Sequence, residues 1–304
     1  YVDAIRHSYW VHDEFDYTSD IQDMMINLSE EDKSIVTRAM LAISQIENTV
    51  KMFWGNVYHH IPKPEIASVG ATFSDSEARH QDAYSHLLEL LGLQKEFESL
   101  LDVPVMADRV RYLTEANEKS NSTDPKEYFE SLILFSMMIE NVSLFSQFFI
   151  IMSYNKHANM LKGMSNVIEA TSKEEACHFQ FGADLINIIK KENPQWWTED
   201  LKQRVLDFVS RAGYAEGQVV DWIYEKGDSS IIPKSQVHDY IGYKVAQSLE
   251  SIGIPCEDKF FEDELSNFKW FEEEIVLTKN HDFFNKRSTA YNKMSQTITA
   301  DSIF

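Results

Sequence analysis

The stretch LILFSMMIENVSLFSQFFIIMSY, residues 132–154, decides how this chain folds. By length and hydropathy it could cross a membrane. Glu140 stands at its middle, with Asn141, Ser143, Ser146 and Gln147 close by, and no basic flank orients it. A buried core helix is therefore the expectation. Glu140 is the only charge between Glu130 and Lys156. An isolated ionised carboxylate in such a helix costs many kcal/mol, so it must be protonated, paired or bound to metal.

Working outward, two Glu-x-x-His pairs flank this helix in sequence, Glu77 with His80 and Glu175 with His178. At i and i+3 the two side chains of each pair share one helix face and can reach one ion. A single such pair arises by chance. The spacing carries more: Glu47 precedes the first pair by 30 residues, and Glu140 precedes the second by 35. A helix donating one Glu, then a helix donating Glu-x-x-His, occurs twice over. That is the ligand set of ferritin-like di-iron and di-manganese bundles. Four carboxylates and two imidazoles suit iron or manganese, and the absence of cysteine from the set argues against structural zinc. Tyr84 lies four residues beyond His80 and projects from nearly the same face; it is either part of the site or a core tyrosine using its hydroxyl locally. Lys51, four beyond Glu47, either bonds a ligand carboxylate or is a surface lysine at helical spacing.

The rest of the chain agrees with an all-α protein. Stretches 65–103 and 126–193 contain no proline, and no alternating apolar–polar run rich in Val, Ile and Thr supports strands. The pattern predicts helices near 30–55, 63–91, 95–119, 125–153, 158–192, 197–226 and 234–252, with Pro62 and Pro64 at a helix start and Gly92 at its end. Residues 1–284 read as one helical metal-binding domain, and 285–304 as a mobile polar tail closing on Ile303-Phe304. A net charge of −21 makes nucleic acid and anionic membranes unfavourable partners. Two cysteines, Cys177 and Cys256, give no disulfide framework, and the first twenty residues contain no apolar signal core, so a cytoplasmic setting is expected.

SEARHQDAY (76–84), MMIENVSLF (137–145) and KEEACH (173–178) together resemble the small, radical-generating subunit of class I ribonucleotide reductase, and the resemblance runs from Tyr9 to the last residue. It implies a ferritin-like long-helix bundle, a homodimer, and a dinuclear metal cofactor that stores one oxidising equivalent for a large catalytic subunit. It also implies roles. Tyr84 falls at the tyrosyl-radical position, and Trp10, in YWVHDEFD, at the start of the internal electron-transfer relay. Glu174 falls where the family has an Asp linking that tryptophan to His80, and Tyr291 matches the tail tyrosine that hands the hole onward. The closing TADSIF (299–304) is similar to peptides that dock on the large subunit. Glu47 in place of Asp, together with Lys51, resembles the class Id subgroup, which implies manganese rather than iron and the oxidising equivalent on the metals rather than on Tyr84. Neither a Gly-rich phosphate loop nor a redox-active thiol pair is present, so the chain is not expected to reduce nucleotides alone. A rival reading is a ferritin-like dimetal oxidase or oxygenase acting on a small apolar substrate. A second is a metal-storing or purely structural helical protein.

Overall fold

A computed structural model describes residues 1–50, 52–256 and 262–276, without the side chains of 48–50, 262–264 and 276. Lys51, Tyr291 and the whole 285–304 tail lie outside the described residues. The helices are α1 (Val2–His7), α2 (Thr18–Gln22), α3 (Glu30–Val50), α4 (Met52–His60), α5 (Pro64–Leu90), α6 (Gln94–Glu98), α7 (Pro104–Glu118), α8 (Pro125–Leu134), α9 (Phe145–Ala158), α10 (Lys162–Glu192), α11 (Glu199–Ile223), α12 (Lys234–Ser251) and α13 (Glu262–Val276). No strand occurs among the described residues. Helices α3, α5, the α8–α9 segment and α10 pack as the central bundle, and α7, α11, α12 and α13 lie against it.

Local chemistry sets the boundaries. Pro64 opens α5, where its missing N–H costs nothing. Gly92 closes it with φ +68, its N–H donating to the Glu89 carbonyl at 3.0 Å and that of Leu93 to Leu88 at 2.8 Å. The N-terminus of α10 is capped from a distance. Asp20 accepts from the backbone N–H groups of Gly163 at 3.0 Å and Met164 at 2.6 Å, and Asp23 from Leu161 at 2.9 Å.

Three expectations needed correction. The predicted 95–119 helix is divided into α6, a 3₁₀ turn (Leu100–Asp102) and α7, because Pro104 can begin a helix but not continue one. The helical run predicted to stop near 55 continues as α4 to His60. Helices α1, α2 and α13 were not foreseen; α1 and α2 are too short for a period to register.

The decisive stretch is buried along its apolar length, although by length and composition alone Pro125–Ala158 could cross a bilayer. It is not uniformly α-helical. Phe135–Ser143 winds as a π-helix, which frees backbone carbonyls from their usual partners. Side chains from neighbouring helices and from the stretch itself take them up. Ser248 of α12 donates to Met137 O at 2.7 Å, and Ser143 Oγ donates to Met138 O at 2.9 Å. Arg109 of α7 donates to Ser143 O and to Ala42 O of α3 (2.6 Å), and pairs with Glu216 of α11 through Nε–Oε1 (2.8 Å) and Nη2–Oε2 (3.0 Å). Both members of that ion pair are fully buried. Gly182 of α10 passes so close that an added Cβ would sit 2.4 Å from the Ser136 side chain.

Candidate metal centre

Each of the four central segments contributes the residues the spacing singled out: Glu47 from α3, Glu77 and His80 from α5, Glu140 from the π-helical stretch, and Glu175 and His178 from α10. All six are buried to within 1% of complete. They form two overlapping groups whose ligand atoms lie within 4.8 Å of one another: Glu47, Glu77, His80 and Glu175, and Glu77, Glu140, Glu175 and His178. Glu77 and Glu175 belong to both, as bridging carboxylates would. The two imidazole rings are 6.3 Å apart.

The rings are held from behind. His80 Nε2 donates to Glu174 at 2.7 Å. Ser76 donates its hydroxyl proton to the Phe73 carbonyl, so its oxygen accepts from His178 Nε2 at 3.0 Å. These bonds fix the tautomer and turn each Nδ1 lone pair inward. His80 Nδ1 then faces Glu175 (2.9 Å), Glu77 (3.6 Å) and Glu47 (3.9 Å), while His178 Nδ1 faces Glu77 (3.1 Å), Glu175 (3.2 Å) and Glu140 (3.4 Å). Trp54 of α4 donates its indole N–H to the outer oxygen of Glu140 at 2.7 Å.

Lone pairs facing carboxylates at these distances repel unless something positive lies between them. Both oxygens of Glu47, Glu77 and Glu175, and both Nδ1 atoms, lack well-formed hydrogen bonds. Protons are the alternative to metal, and the electrostatics describe that competition. Burial drives Glu47 and Glu140 well above the usual carboxylate range. It also opposes charge on Glu175, but His178 and His80 outweigh it and hold that carboxyl low. Burial likewise opposes charge on both imidazoles, yet the surrounding carboxylates raise them well above an ordinary histidine. The donor set fits two divalent cations of the iron or manganese type.

Around this centre three further expected residues, Tyr84, Trp10 and Glu174, stand at different removes, while Lys51 and Tyr291 lie outside the described residues. Tyr84 is buried beside Glu47 with no well-formed hydrogen bond at its hydroxyl, and burial is the main cause that pushes its ionisation far up. Trp10 is buried and stacks on His80 with ring centroids 5.9 Å apart and 14° between planes. Glu174 is bonded to His80 but not to Trp10, whose buried indole N–H has no partner. The connection runs instead through Arg79. Its guanidinium donates to Glu174 (3.1 and 3.3 Å) and to the Trp10 carbonyl (3.3 Å), and lies over the Trp10 ring at 5.6 Å. Sequence reasoning missed Arg79, Ser76 and Trp54. Arg79 and Ser76 stood inside SEARHQDAY, but a partner 95 or 102 residues away leaves no local signal.

Comparison with known proteins bears on this geometry. The family model described as "Ribonucleotide reductase, small chain" matches residues 1–268. The ribonucleoside-diphosphate reductase subunit beta of Chlamydia pneumoniae is 24% identical over 286 residues, covering 87% of this chain and 78% of that protein. The small subunit of Plasmodium falciparum (isolate FCR-3 / Gambia) is 24% identical over 300 residues, covering 94% and 84%. Among solved structures, the ribonucleotide reductase R2 subunit from Clostridium botulinum superposes with TM-score 0.77 at 15% identity, covering 90% of this chain and 86% of that one. An R2-like ligand-binding oxidase with an aerobically reconstituted Mn/Fe cofactor gives TM-score 0.71 at 18% identity, covering 83% and 91%.

Proposed function

Because the chain belongs to the ribonucleotide reductase small-chain family, we propose that its buried six-residue centre is the family's dinuclear cofactor site and that it supplies oxidising equivalents to a large catalytic subunit. One observation carries the reading: two buried ligand groups share Glu77 and Glu175, with inward lone pairs that only cations or protons can relieve. When bound, the metal pair supplies one-electron oxidising power. The chain's own residues hold it, exclude water and lead charge away. Glu174 and Ser76 hold the two imidazoles, and Trp54 restrains Glu140. Trp10, stacked on His80, is the first step of the outward relay, with Arg79 joining it to Glu174. Tyr291 and the 285–304 tail continue that relay to the large subunit, and the protein works as a cytoplasmic homodimer.

We assign manganese in preference to iron, and the oxidising equivalent to the metals rather than to Tyr84, on Glu47 at the first ligand position with Lys51 four residues on in the sequence. The rival oxidase reading needs a substrate pocket beside the metals. Among the described cavities, the one that reaches the site measures about 190 Å³, below the roughly 300–1,000 Å³ of ordinary ligand pockets.

The test is metal analysis with electron paramagnetic resonance on protein activated under controlled manganese or iron supply. The expected result is two ions per chain and a coupled multiline manganese signal; a sharp tyrosyl signal would return Tyr84 to the radical role. Glu140→Ala should lose at least one ion per chain, and retention of two would refute the ligand set.

A further inference from the structure

The cavity of about 190 Å³ that reaches the centre is graded from surface to site. It is lined by Ser85, Gln94 and Glu98, which are exposed; by Gln81 and Phe97, half-buried; and by Ser44, Leu88, Tyr84 and Glu47, which are buried. It lies where α3 and α5 meet the short helix α6. At its floor is a carboxylate with both oxygens unpartnered and completely buried. The other large cavities, one lined by Glu30, Arg38 and Trp222 and one by His60, Tyr128 and Trp196, touch none of the six site residues.

The chemistry of the lining favours a cation. A carboxylate stands at the mouth (Glu98) and another at the floor (Glu47). Between them come amide and hydroxyl oxygens of Gln94, Gln81, Ser85 and Ser44, the donor types that suit hard divalent ions. At roughly 30 Å³ per water, the cavity has room for about six waters, enough for a partly hydrated ion and below the roughly 300–1,000 Å³ of ordinary ligand pockets. A net charge of −21 draws cations and repels anionic oxidants.

We propose that this cavity is the inlet through which divalent metal ions reach the centre, with Glu98 as the collecting carboxylate and Glu47 as the first permanent ligand met. The inference rests on the six residues being the metal site. Along this path an ion exchanges waters for side-chain oxygens stepwise, which avoids stripping its hydration in one costly event.

The experiment follows uptake of Mn²⁺ by metal-free full-length protein after rapid mixing, read as loss of the six-line resonance of free Mn²⁺, with final stoichiometry measured separately. Glu98→Gln should slow uptake by about threefold at low ionic strength and flatten its salt dependence. Ser85→Trp, which fills the mouth from an exposed position, should slow it by about tenfold or more. Both variants should still bind two ions per chain and melt like the parent. Glu199→Gln, exposed and outside the cavity lining, should take up Mn²⁺ at the parental rate. Unchanged uptake in both cavity variants would overturn the inlet. So would slowing confined to the reaction of the preloaded protein with peroxide or oxygen, which would make the cavity an oxidant path. If the parent protein itself bound no ions, the metal-site reading would fail, a result distinct from either.

Discussion

At the scale of single residues, the contacts behind the six site residues are expected to decide how well they hold metal. Glu174 is shared between His80 and Arg79 and is completely buried. Glu174→Gln keeps an acceptor for the imidazole but removes the charge that both partners answer. Metal affinity should fall roughly 10-fold or more, read by competition with a chelator, while Ser76→Ala should cost less because the Ser76 bond is uncharged. Asp20 gives a pH-dependent counterpart away from the centre. Burial pushes its carboxyl from 3.8 up to about 6, against the two backbone N–H groups that favour its charged form. Folded protein therefore holds this proton where unfolded chain has released it. The stabilisation is full below about pH 4 and lost as pH rises through about 6. Asp20→Asn has no such titration. Relative to the parent, the variant should gain about 3 kcal/mol in urea unfolding between pH 4 and pH 7.

At the scale of elements, the π-helical stretch depends on its neighbours. Nine residues, Phe135–Ser143, leave the α-helical ladder, and Arg109 and Ser248 supply bonds that the ladder no longer makes. The Arg109–Glu216 pair is buried on both sides, so removing one partner strands the other. Arg109→Met should cost roughly 3–5 kcal/mol in urea unfolding. Arg109→Met with Glu216→Leu should recover much of that loss, because no lone charge remains. Recovery should be incomplete, since the carbonyls of Ala42 and Ser143 still lose their donor.

For the whole molecule, the centre and the proposed route away from it are expected to be separable. The six site residues come from four packed segments of the bundle, whereas the terminal tail contributes none of them. Removing residues 285–304 should abolish turnover with the large subunit and leave two metal ions bound. Full activity after truncation would sink the docking role of TADSIF, and loss of metal would show that the tail supports the bundle.

Much of this protein was legible as a string. Helix type, the buried apolar segment and the doubled Glu plus Glu-x-x-His pattern are local matters: periodicity of 3.6, absence of breakers, and spacing of i to i+3. Those are enough to name Glu47, Glu77, His80, Glu140, Glu175 and His178, because each helix must bring its chemistry to one face. What lies behind that face was not legible. Trp54 on Glu140, Ser76 on His178 and Arg79 between Trp10 and Glu174 are contacts across 69 to 102 residues. The π-helical winding of 135–143 has the same origin, since the carbonyls it frees are satisfied from α7 and α12. The cavity above Glu47 likewise exists only where α3, α5 and α6 converge. Local sequence determined which groups would meet at the centre. Packing between distant helices decided how they are oriented, braced and reached, because those energies belong to pairs that meet only in the folded chain.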